Sequence, residues 1–112
     1  MWILMPTGFF SVVRKPGDEL LTVRARSRAD LERLAAAVPA LGAIRAGGGT
    51  DYPFRARIGV EDLAEAVAAA VRSIDYSNFK DAVARRAGTR RAKLYGKVWQ
   101  TLLEIENEEV PR

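Results

Sequence analysis

Two short segments of the chain carry the same arginine spacing, Val23-Arg24-Ala25-Arg26 and Phe54-Arg55-Ala56-Arg57. Both read as strands, and side chains alternate faces along a strand. Each segment therefore sets two guanidiniums on one face and apolar residues on the other. A guanidinium keeps its charge and forks onto carboxylate or phosphate, so the chemistry offered is anion binding rather than bond making. If a third strand around Ala43 to Ala46 runs in phase, Arg45 joins Arg24, Arg26, Arg55 and Arg57. Phe9 and Phe10 point to opposite faces, so one of them lies beside the arginines. Aromatic and arginine side chains on an open antiparallel sheet hold single-stranded nucleic acid by stacking and phosphate contacts. The alternative is that the protein covers or neutralises this face itself. Asp18, Glu19, Asp51 or the acidic tail Glu104, Glu106, Glu108 and Glu109 could supply the charge, and the C-terminal helices or a second subunit the cover.

Other clusters are less specific. Arg85, Arg86, Arg90, Arg91, Lys93 and Lys97 are six cations with no intervening acid. Three of them open a helix whose end carries the carboxylates, the reverse of what the helix dipole prefers. Arg85, Arg86, Arg90 and Arg91 are therefore further anion-binding candidates, against the reading of a solvated helix connection. The segment Asp75-Tyr76-Ser77-Asn78-Phe79-Lys80 offers a polar site built from Asp75, Tyr76, Asn78 and Lys80. It equally reads as a helix start, with Asp75 or Ser77 as cap and Tyr76 packing on Phe79. Gly47-Gly48-Gly49-Thr50 lacks the Lys-Ser/Thr and the following helix of a phosphate loop, and reads as a flexible hairpin loop.

Composition narrows the class. The 112 residues contain neither His nor Cys. That removes the usual general base, thiolate nucleophiles and the commonest metal ligands, and no cofactor or metal is expected. An enzyme working through Asp75, Tyr76 and Lys80 is the least favoured class. The net charge of +4 permits an acidic partner without demanding one. The apolar start Met1 to Met5 meets Pro6 too early for a signal peptide or membrane span, so a cytoplasmic protein that meets no membrane is expected.

The elements that must position these residues follow from periodicity. Gly8 to Val13 is a strand that Trp2 to Met5 extends, with Pro6-Thr7-Gly8 as a kink. Leu20 to Arg26 is the next strand, after turn chemistry at Lys15 to Asp18. Ser27-Arg28-Ala29-Asp30 resembles a capping box. It opens a helix with Leu31, Leu34, Ala35 and Val38 on one stripe, stopped by Pro39. Strands around Ala43 to Ala46 and over Phe54 to Ile58 follow. A second helix after Gly59 carries Leu63, Val67, Ala70, Val71 and Ile74. The two halves echo each other: Arg-Ala-Arg, then Asp-Leu at 30–31 and 62–63, then Leu34-Ala-Ala-Ala-Val38 and Val67-Ala-Ala-Ala-Val71. Helices over Ser77 to Arg86 and from a Thr89 cap to about Glu106 complete the chain. The last carries Leu94, Val98, Leu102 and Ile105 on one side, widened by Tyr95 and Trp99, and the chain beyond it is expected to fray.

The expected fold is α+β and one domain: a ββαββα unit over 1–74 with a C-terminal helical pair over 75–112. The four-stranded antiparallel sheet has the order of a permuted ferredoxin-like domain. In it the two Arg-Ala-Arg strands are central neighbours and both helices cover the apolar face.

The chain also resembles a family of small bacterial proteins with no known activity. The resemblance rests on Met1-Trp2-Ile3, Gly8-Phe9-Phe10-Ser11, Val23 to Arg26, Asp51 to Arg55, Asp75 to Lys80, and Tyr95 with Val98-Trp99. It covers nearly the whole chain and implies no reaction. The leading functional expectation is thus a non-catalytic module whose arginine face engages an acidic partner such as nucleic acid. The alternative is a protein–protein adaptor or homodimer, with that face or the C-terminal helix buried.

Overall fold

The computed structural model describes residues 1–47 and 51–109. The chain divides into two compact units, Met1–Asp75 and Tyr76–Arg112. The first is α+β: β1 (Trp2–Met5), β2 (Gly8–Val13), β3 (Leu21–Ala25), α1 (Arg28–Ala37), β4 (Arg45–Ala46), β5 (Phe54–Ile58) and α2 (Val60–Arg72). Its strands form one antiparallel sheet in the order β1-β2-β3-β5-β4.

The described sheet has five strands where four were expected. Trp2–Met5 does not extend β2 but folds back on it, in a register running from Trp2↔Ser11 to Met5↔Gly8. Pro6 and Thr7 make the two-residue turn. Proline pre-sets a φ of about −65° and lacks an N–H, so it suits the first turn position. What reads as a kink in the sequence is a hairpin.

Asp30 holds that hairpin against α1. Its carboxylate is buried at 2% exposure. It accepts from the Phe9 backbone N–H at 2.9 Å and from Arg33 Nη2 at 2.6 Å, while Arg33 Nε donates to Thr7 O at 2.7 Å. Of the expected capping box, the Ser27 half is not formed: Ser27 stands at the N-cap with extended backbone, but its side chain makes no capping bond among the described residues. Gly8 lets the hairpin approach so closely: a Cβ there would sit 2.9 Å from both Cβ and Cγ of Asp30.

Alternation sorts the sheet. Phe10, Val12, Val23, Ala25, Ala56 and Ile58 form a core with Leu31 and Leu34 of α1, Leu63 of α2, and Leu41. Both helices thus cover one face. The internal echo is visible here, since Leu31 and Leu63 are both buried and Leu34 and Val67 both pack on the core. It ends beyond them, because Val38 packs on the core whereas Val71 is 60% exposed.

The second unit is helical: α3 (Phe79–Ala87), α4 (Thr89–Leu102) and α5 (Glu104–Glu108). Gly88, at φ 96°, separates α3 from α4. Thr89 is the first helical residue rather than the cap. The long last helix expected from periodicity is broken at Leu103, whose N–H bonds to Gln100 O in a tightened turn. Helix continues to Glu108, past the expected point of fraying. The broad apolar face also splits: Tyr95 is buried and stacks on Phe79 at 5.8 Å, whereas Leu94, Val98, Leu102 and Ile105 are exposed. Among the described residues no helix is long and apolar enough to cross a membrane.

Candidate anion-binding face

The face of the sheet opposite the core carries the four strand arginines, Arg24, Arg45, Arg55 and Arg57. β3 and β5 are antiparallel neighbours, with Arg24 opposite Arg55 and Thr22 opposite Arg57. Arg45 of β4 lies opposite Arg55, and Ser11 of β2 opposite Arg24. A single row across four strands therefore reads Ser11, Arg24, Arg55, Arg45. Arg26 follows the end of β3 on the same face.

Several of these guanidiniums are held in place. Arg24 Nη2 donates to Ser11 Oγ at 2.6 Å, and the hydroxyl is buried with its residue at 1% exposure. Arg26 Nη1 donates to the Asp51 carbonyl oxygen at 2.7 Å. The guanidinium carbons of Arg24 and Arg26 each lie 4.6 Å from the centroid of the Tyr52 ring. Each cation–π contact contributes about 0.5–2 kcal/mol depending on desolvation. Arg57 pairs with Asp18 at 3.4 Å, an exposed contact worth at most about 1 kcal/mol.

Aromatic residues adjoin the arginines. Phe9 is the phenylalanine on this face, with Phe10 in the core. The Phe9 ring lies 6.4 Å from Tyr52 and edge-on to Trp2 at 5.7 Å. Trp2 is 69% exposed. Arg26, Arg45 and Arg57 are exposed as well, and Arg24 keeps a buried Nε donor without a partner among the described residues. The face can thus do two things: form charged hydrogen bonds to an anion, and offer an indole for stacking.

Sequence reasoning did not place Ser11, Tyr52 or Trp2 on this face. Tyr52 stands in a loop, where alternation says nothing about direction. Trp2 joins the face only once the segment before Pro6 is seen to fold back, which reverses its strand and sets it opposite Ser11.

The remaining candidates, apart from Asp75, belong to the second unit. Arg85 and Arg86 sit in the last turn of α3, where cations suit the dipole, and Arg90 and Arg91 open α4. The Arg91 guanidinium lies 5.8 Å from the Tyr95 ring centroid. In the segment read as a polar site, the cap is Asn78, not Asp75 or Ser77: its Oδ1 accepts from the Asp81 N–H at 3.0 Å. Tyr76 packs on Phe79 at 6.2 Å, and Lys80 Nζ lies 5.7 Å from the Trp99 ring centroid. Asp75 is exposed. Among the described residues no group of three or more His, Cys, Asp or Glu could hold a metal ion. Of the expected glycine loop Gly47 to Thr50, residues 48–50 lie outside the described residues. No family model, curated protein or solved structure matches the chain.

Proposed function

We propose that the protein is a non-catalytic binding module whose arginine face takes an acidic partner, with single-stranded nucleic acid as the partner that fits best. The observation that carries this reading is the register row Ser11-Arg24-Arg55-Arg45. Like charges directly opposite one another on a sheet are destabilising, by some tenths of a kcal/mol per pair. Arg24 opposite Arg55, and Arg55 opposite Arg45, are two such juxtapositions. A bound polyanion turns that repulsion into attraction. Trp2 beside the row adds a platform that a base can stack on and that a simple carboxylate chain cannot use. On the same footing we read β2 to α2 as a permuted ferredoxin-like unit. The neighbour order β2-β3-β5-β4 supports this, with β1 as an added edge strand.

The test compares two polyanions by fluorescence anisotropy: a labelled single-stranded oligonucleotide and a labelled poly-glutamate peptide. The oligonucleotide should bind more tightly, and Trp2→Ala should narrow the difference. Equal affinity for both, unaffected by Trp2→Ala, would leave charge alone and remove nucleic acid as the preferred partner. No binding to either would end the proposal.

A further inference from the structure

We infer that α4 is a self-association helix, pairing antiparallel with α4 of a second copy of this chain. Leu94, Val98 and Leu102 recur at intervals of four along α4, which aligns them on one stripe. They are 48%, 37% and 53% exposed, and neighbouring Trp99 is 62% exposed. The adjacent Thr101 hydroxyl donates to Lys97 O at 3.0 Å, so it brings no unsatisfied donor if this side of the helix is covered.

Charge identifies the occupant. At about 100° per residue, Arg90, Lys93 and Lys97 run along one edge of the stripe. Because Leu103 keeps right-handed helical dihedrals (φ −56°, ψ −25°), the tightened turn carries that edge on to Glu104 and Glu108 of α5. This order sets cations at the helix start and carboxylates at its end, against the helix dipole. A parallel copy would align like with like. In an antiparallel copy with Val98 opposite Val98, Leu94 meets Leu102. Arg90 and Lys93 then come alongside Glu104 and Glu108, twice by symmetry, while the two exposed Lys97 side chains meet near the axis and reach out to solvent. Such an interface is self-complementary, as a two-fold dimer requires. The pairing uses none of the sheet arginines, so it stands or falls apart from the anion-binding proposal.

The test is mass by sedimentation on the full chain, across concentration and salt. Wild type should sediment as a dimer that weakens as salt rises, and Val98→Asp, at an exposed position, should be a folded monomer by circular dichroism. R90E/K93E and E104K/E108K should each dimerise about tenfold or more weakly, through like charges at both ends, and should form a heterodimer when mixed. A monomeric wild type at the highest attainable concentration overturns the inference. So does a folded Val98→Asp that still dimerises, or a pair of charge variants that dimerise as wild type does.

Discussion

At the residue scale, Asp30 shows how a buried carboxylate can be structural. It joins the first turn of α1 to the β1–β2 hairpin through Phe9 N–H and through Arg33, which in turn holds Thr7 O. Removing the carboxylate leaves partly buried donors without an acceptor. Asp30→Ala should therefore lower unfolding free energy by about 2–4 kcal/mol in urea titration. Gly8→Ala should destabilise as well, because the new Cβ would meet the Asp30 side chain where it joins the backbone, not a flexible tip that could swing aside. Tyr52 belongs at this scale too. Its ring carries both Arg24 and Arg26, so Tyr52→Ala should weaken anion binding while every arginine is retained. Unchanged affinity in that variant would show that the ring does not help to preorganise them.

At the element scale, Asn78 satisfies one of the free N–H groups at the start of α3. Asn78→Ala should cost about 1 kcal/mol, seen as faster amide exchange in the first turn of α3. The strands and helices were legible where periodicity decides: alternation around Arg24 and Arg55 sets the guanidiniums on one face and Val23, Ala25 and Ala56 in the core. Element ends were less legible because several residues there can do the same job. Asp75, Ser77 and Asn78 can each cap a helix, and only backbone geometry chooses between them. Pro6-Thr7 fits a kink or a turn equally by composition, and the choice decides whether Trp2 lies on the arginine face. The exposed stripe of α4 was legible as apolar but not as uncovered, since spacing reports what a face is made of and not what lies against it.

At the scale of the whole molecule, the sheet unit separates two jobs between its faces. One face is filled by two helices and gives stability. The other holds Arg24, Arg26, Arg45, Arg55 and Arg57 with Ser11, Phe9, Tyr52 and Trp2, a set that packing alone does not demand. The most direct measurement is the salt dependence of binding to a single-stranded oligonucleotide, for wild type and for an Arg24→Ala/Arg55→Ala variant shown to be folded. Wild-type log affinity should fall linearly with log salt, by about 0.7 per phosphate neutralised, and the double variant should lose binding. Binding that ignores salt, or that survives unchanged in the folded double variant, would contradict the proposal that this face is the anion site.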